Sequence, residues 1–234
     1  MAMPGMPAGR TIHAIIFDMD NTLFDFVAAK LHACRRMTKH LGTDDPEAFY
    51  RYFTGSSFGY ESHENIRQYL RDRGIYTDRT FTDCCSIYEE EKVRVLEPYP
   101  RIHAVLEEVK RRGYRTAVVT DAHNGNALRR LRKLDLVRFF DVVVTFDMTG
   151  LKKPSPEPFL LALEMLGTSP DETLLVGDSL RRDIAPAKSL GLVTAHARYG
   201  DRNFSAYGED RPDCVLMNPG DILACLEGLS EKRG

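Results

Sequence analysis

Five short runs carry apolar side chains at consecutive positions and end in polar ones: HAIIFD (13–18), RTAVVT (115–120), DVVVTF (141–146), TLLVGD (173–178) and LVTAHA (192–197). Unbroken β-branched runs, unlike alternating ones, predict strands buried on both faces, the habit of a parallel sheet. Between the later runs the pattern turns helical over 124–135, 156–166 and 180–190. Strand and helix in alternation predict an α/β protein, a doubly wound parallel sheet. CVLM (214–217) adds an edge strand, and 219–228 a last helix with Asn218 or Pro219 near its start.

Residues 25–97 leave that rhythm. AAKLHACRRMTKHL, HENIRQYLRDRG and FTDCCSIYEEEKVRVL are helical in pattern, with no comparable strand between them. Turn-like breaks at Gly42-Thr43-Asp44, Thr54-Gly55-Ser56 and Gly74-Ile75 divide the block into three or four helices. EPYPR (97–101), with two prolines, serves as the return hinge. The expected organisation is a catalytic core from 11–24 and 98–230, with an inserted α-helical cap domain at 25–97. Such an insert is expected over the carboxyl edge of the sheet, where open α/β sheets bind ligands.

That edge gathers unusual chemistry. Asp18 and Asp20 follow the first run, with Thr22 beyond, and Thr120 and Asp121 follow the second. Lys153 lies after the third, and Asp178-Ser179 follows the fourth, with Asp183 five residues past Asp178. Each residue alone could be a helix cap, but that reading does not explain acids, a hydroxyl and a lysine on one edge. Two carboxylates one residue apart repel by several kcal/mol at a protein-like dielectric, so an offsetting partner is expected. Hard oxygen ligands with room for water suit Mg²⁺. A lysine, a hydroxyl and the N–H groups of a helix start suit a phosphate, and a carboxylate beside them suits attack on phosphorus.

The sequence resembles the haloacid dehalogenase superfamily, whose four motifs stand in order: DMDNT (18–22), VVTD (118–121), KPSPEPF (153–159) and VGDSLRRD (176–183). The resemblance covers about 12–228 and implies a Rossmann-like core with a helical cap. It implies that Asp18 is the nucleophile and a Mg²⁺ ligand. Asp20 would be the general acid and base, with its backbone carbonyl on the metal. Thr120, Asp121 and Lys153 would bind phosphate, Asp178 would bind metal, and Asp183 would be a ligand or its water-bridged support. Lys153 is preferred over Lys152, which reads as solvated, because the superfamily's lysine directly precedes the first proline of K-P-x-P. The second aspartate argues for an oxygen leaving group over a halide. The implied activity is a Mg²⁺-dependent phosphomonoester hydrolase acting through an aspartyl-phosphate. The alternatives are a phosphomutase, a dehalogenase-like hydrolase or a catalytically silent binding protein. A response-regulator receiver domain is excluded because its phosphoacceptor follows the third strand.

Composition narrows the partners. The chain has 234 residues, 43% of them apolar, and a net charge of −2, so no nucleic-acid or membrane surface is indicated. Its short arginine-rich stretches, Arg129 to Lys133 among them, read as solvated helix faces. The five cysteines lack C-x-x-C spacing, so neither a disulfide framework nor a zinc site is expected and a cytoplasmic setting fits. MAMPGMPAGR has no apolar h-region and reads as a short disordered tail. The expected substrate is a small phosphorylated sugar, nucleotide or short acid, and the protein a monomer or homodimer. In the insert, YRYFTGSSFGYE (50–61) either packs that domain's own core or faces the leaving group. His123 is either a substrate contact or an exposed loop residue.

Overall fold

A computed structural model describes residues 11–55, 57–202 and 211–231; the tail expected over the first ten residues lies outside them. The chain divides into two compact units. One takes in the chain up to Asp25 and again from Glu97, and the other is Phe26–Leu96. The second unit holds α1 (Phe26–His40), α2 (Pro46–Thr54), α3 (Glu64–Asp72) and α4 (Asp78–Arg94). The first holds α5 (Ile102–Arg111), α6 (Asn124–Lys133), α7 (Phe146–Thr149), α8 (Glu157–Leu166), α9 (Ala185–Ser189) and α10 (Asp221–Glu231).

The first unit is built on a parallel sheet of β1 (Ala14–Phe17), β2 (Arg115–Val119), β3 (Val142–Val144), β4 (Thr173–Gly177), β5 (Val193–Ala197) and β6 (Cys214–Leu216). Their order is β3-β2-β1-β4-β5-β6, with every pair parallel. The chain steps outward from β1 to β3, then returns to the far side of β1 and runs the other way. That reversal puts a topological switch point between β1 and β4, whose carboxyl ends are the natural ligand crevice. Phe17 pairs with Val118 on one side and Val176 on the other. Asp18 therefore leaves the sheet level with Val119 and Gly177, one step before Thr120 and Asp178.

β1, β4 and β5 are buried at every position, and their side chains alternate between the two faces. Ile16, Val119 and Leu175 pack with Phe159, Leu163 and Leu166 of α8 and Ala187 of α9. Phe17 points the other way and meets Phe140 edge to face, centroids 5.9 Å apart. Each such side chain taken from water contributes about 1.5–3 kcal/mol.

Three features depart from the sequence reading. A helix, α5, occupies 102–111, where no element was expected; its buried Ile102, Val105, Leu106 and Val109 carry a helical period. The single helix expected over 180–190 begins as a π-helical turn, Leu180–Ile184, because the Ser179 carbonyl accepts from both Asp183 N and Ile184 N, at 2.9 and 3.2 Å. Cys214 and Cys225 form a disulfide, contrary to the expectation of none. The two are 11 residues apart, and α10 folds back on β6 so that their Cα atoms lie 6.3 Å apart, a proximity that motif spacing does not encode.

The helical unit has its own core of Ala33, Met37, Phe49, Phe53, Ile66, Tyr69, Leu70 and Tyr88. Phe49 stacks on Tyr69 and Phe53 on Tyr88, at 3.8 and 4.9 Å between centroids. The aromatic stretch 50–61 contributes directly: Phe53 is buried, while Phe58 is 53% exposed. Lys30 is fully buried, its Nζ 3.2 Å from the Tyr60 ring centroid and 4.4 Å from that of Phe53, so cation–π attraction offsets part of its desolvation. Asp45 caps α2 by accepting from Ala48 N at 2.8 Å, and Thr77 and Thr80 form a reciprocal capping box on α4. Among the described residues, no helix is long and apolar enough to cross a membrane.

Candidate active site

The loop after β1 closes tightly. Asp18 N donates to Val176 O at 2.8 Å, which carries the ladder one residue past the strand, and Leu23 N then turns back onto Met19 O at 2.9 Å. Asn21 takes a positive φ of 64° in this turn. The loop after β5 presses against it: Tyr199 Oη donates to Thr22 O at 2.8 Å. A Cβ on Gly200 would lie 1.7 Å from Asn21 O, so only glycine permits this approach. The backbone that presents Asp18 and Asp20 is thus held from both sides.

Asp18, Asp178 and Asp183 converge, each buried, with one oxygen apiece lying within 4.8 Å of the others. Lys153, 1% exposed, donates from Nζ to Asp18 Oδ1, to Asp183 Oδ1 at 2.6 Å and to Val119 O at 3.3 Å. Thr22 Oγ1 donates to Asp18 Oδ2 at 3.2 Å. Ser179 N donates to Asp183 Oδ2 at 3.0 Å, but Asp178 Oδ1 has no hydrogen-bond partner among the described residues. Gly177 makes room for the group, since a Cβ there would come 2.6 Å from Asp183 Cβ.

The charges are unbalanced. Burial first, then Asp18 and Asp183, push the Asp178 carboxyl well above the usual carboxylate range. Burial also raises Asp183, with Asp18 adding to it and Lys153 opposing. Burial works against the Lys153 ammonium, yet Asp18, Asp183 and Asp121 hold its proton more firmly than usual. Among the described residues, four carboxylates, Asp18, Asp121, Asp178 and Asp183, act on the two cations Lys153 and Arg182, so acids outnumber bases here. Three converging carboxylates, one of which, Asp178, has an oxygen without a hydrogen-bond partner among the described residues, and an excess of acids over bases fit a divalent cation.

Residues 15–197 match the profile of the haloacid dehalogenase-like hydrolases. The chain belongs to this family. It is 31% identical over 218 residues to a phosphoglycolate phosphatase of Aquifex aeolicus, covering 92% of this chain and 97% of that one. It is 32% identical over 211 residues to a glyceraldehyde 3-phosphate phosphatase of Methanocaldococcus jannaschii, covering 85% and 91%. Among solved structures, a putative β-phosphoglucomutase of Thermotoga maritima superposes with a TM-score of 0.77 at 27% identity, covering 93% of this chain and all of that one.

The remaining motif residues of this haloacid dehalogenase-like hydrolase have specific neighbours. Thr120 is buried, and its Oγ1 accepts from Ala122 N at 3.2 Å, which leaves the hydroxyl proton to donate outward. The Asp121 carboxylate accepts from Lys153 N at 2.9 Å and Arg182 Nη1 at 3.2 Å. It therefore orients the lysine's backbone, and any hold of Asp121 on phosphate would come through its N–H. His123 is exposed, and its Nδ1 pairs with Asp147 Oδ1 at 2.6 Å. Lys152 is exposed, as expected.

Asp20 stands apart from the carboxylate cluster, its side chain facing Arg130. Arg130 Nη1 donates to Asp20 Oδ1 at 3.0 Å and Oδ2 at 2.8 Å. The expectation that Arg129 to Lys133 form a solvated face fails here, because Arg130 is fully buried. A signal was present: Ala127, Arg130 and Leu131, the buried residues of α6, stand at i, i+3 and i+4. Arg182 was likewise missed inside VGDSLRRD, because nothing in the motif announces its pairing with Asp121.

Proposed function

We propose that this chain is a Mg²⁺-dependent phosphomonoester hydrolase acting on a small phosphorylated metabolite through a phosphoenzyme at Asp18. The observation that carries the reading is the buried Asp18 carboxylate, hydrogen-bonded by Lys153 and Thr22 beside Asp178 and Asp183. The named phosphatases among its relatives support the reaction class. Asp18, Asp178 and Asp183, with the Asp20 backbone carbonyl, would hold Mg²⁺, which supplies positive charge against the transferring group. Lys153 and the Thr120 hydroxyl hold the non-bridging phosphate oxygens, where charge accumulates in phosphoryl transfer. An Asp18 oxygen bonds to phosphorus as the ester P–O bond breaks. Asp20 gives its proton to the departing oxygen, then takes one from the water that releases phosphate from Asp18. The helical unit Phe26–Leu96 is read as the cap that selects the substrate and limits access of bulk water.

Phosphate release from a panel of small phosphomonoesters, with Mg²⁺ and with chelator, is the test. Asp18→Asn is expected to lower turnover at least ~10³-fold, and Asp20→Asn about 10²–10⁴-fold. Sustained Mg²⁺-dependent turnover by purified Asp18→Asn sinks the mechanism. The similarity to a putative β-phosphoglucomutase favours one second reading, a phosphomutase. Sugar phosphate isomers interconverting without free phosphate would establish it.

A further inference from the structure

The pair of Asp20 with Arg130 asks for an explanation that the phosphatase reading does not supply. Arg130 sits on the core-facing stripe of α6, 0% exposed, where an apolar side chain would satisfy packing alone. Burying a guanidinium there carries a large desolvation cost, offset only by a well-placed partner. One such partner is the carboxylate of Asp20, 110 residues away in sequence and 23% exposed at its side chain. One nitrogen, Nη1, reaches both carboxylate oxygens, which fixes the rotation of the group about its Cβ–Cγ bond.

We propose that Arg130 is a positioning residue for acid–base catalysis, orienting the Asp20 carboxyl toward the leaving oxygen and stabilising the carboxylate left once its proton has gone. The inference rests on Asp20 having the acid–base role given above. In phosphoryl transfer the Asp18–P bond forms, the P–O ester bond breaks, and the ester oxygen takes the Asp20 proton. The negative charge that then appears on Asp20 meets a cation already in place, so no solvent or side chain need reorganise. Arg130 touches neither the phosphoryl group nor the nucleophile in this scheme. Its removal therefore weakens only substrates whose leaving group needs a proton.

The test compares kcat/KM, which reports steps through phosphoryl transfer, for p-nitrophenyl phosphate and an alkyl phosphate such as 2-phosphoglycolate. p-Nitrophenolate departs without protonation; an alkoxide does not. Arg130→Met, which fills the volume without the charge, is expected to lose about 10²-fold on the alkyl ester, within the range of general acid catalysis, and less than about fivefold on the aryl ester. Arg130→Lys, which restores a cation on a shorter stem with a different head group, is expected to recover much of the alkyl activity. Equal losses on both esters in a folded Arg130→Met overturn the proposal, as does no loss on either. Should Arg130→Met not fold, an Arg130→Lys variant matching the wild type on both substrates overturns it, and a several-fold loss confined to the alkyl ester supports it. Asp20→Asn in parallel separates the two claims. If it shows no leaving-group dependence, the acid role itself has failed; if it does and Arg130→Met does not, only the positioning role has failed.

Discussion

Asp178 is buried beside two carboxylates, and its Oδ1 accepts no hydrogen bond among the described residues. Its carboxyl is raised above the unfolded value, so at neutral pH the ionised group opposes folding. Asp178→Asn removes that repulsion, and without metal the variant is expected to melt higher than the wild type, by about 1–3 kcal/mol. The same change deletes a cation ligand, so the rise in Tm that Mg²⁺ gives the wild type should vanish. Melting curves in chelator and in Mg²⁺ read both effects; a variant less stable than wild type in chelator contradicts the charge argument. Gly177→Ala is expected to lower Mg²⁺ affinity about tenfold or more in calorimetric titration, since the added Cβ displaces Asp183. At this scale the sequence was informative wherever a residue ended a strand: Asp18, Thr120 and Asp178 stand at strand ends, and Lys153 directly precedes a proline. It carried a signal for Arg130 on the buried stripe of α6 but named no partner for it or for Arg182, because those partners come from segments 110 and 61 residues away. A cation's burial is decided by that tertiary pairing and not by its neighbours in the chain.

Elements add local terms of known sign. His63, beside α3, faces Cys85 and Glu89 of α4. Hydrogen bonds to Cys85 and then Glu89 raise His63 to about 9. Its charged form stabilises the fold fully below about 6.5, the ordinary histidine value, and that contribution is lost as pH rises through about 9. Wild-type Tm is therefore expected to fall between pH 7 and 9.5 by more than that of His63→Gln; parallel curves count against the assignment. The Cys214–Cys225 link ties β6 to α10 across 11 residues, and closing a loop of that size contributes about 2–3 kcal/mol in the chain-entropy model. Reductant is expected to lower Tm in wild type and leave Cys225→Ser unmoved. Element type was readable because parallel strands are continuously apolar and turn residues divide the insert's helical runs. The π-helical turn at 180–184 was not, since it depends on one carbonyl accepting two amides.

The whole molecule repeats one theme: a sheet whose order is fixed by register, with a helical unit entering after Asp25 and leaving before Glu97. The doubly wound class followed from the alternation of runs, whereas the switch point between β1 and β4 comes from the observed strand order. Pairings across the fold and the disulfide were not legible, because both depend on segments brought together only by folding. Replacing Phe26–Leu96 with a short glycine-rich loop is expected to leave a folded core that still binds Mg²⁺ and cleaves p-nitrophenyl phosphate slowly, with preference among natural esters reduced. A core that cannot fold without the insert refutes this separation.

Phe24 and Pro98 form an antiparallel bridge, and Tyr99 N donates to Leu23 O at 3.0 Å. The strands of chain that enter and leave the insert are therefore fastened to each other before the helices begin. To the sheet, some seventy residues count as the tip of a hairpin. Inheritance can then treat the two units unequally: the helices can drift, lengthen or be exchanged by recombination while the spacing from Asp18 to Asp20 stays fixed.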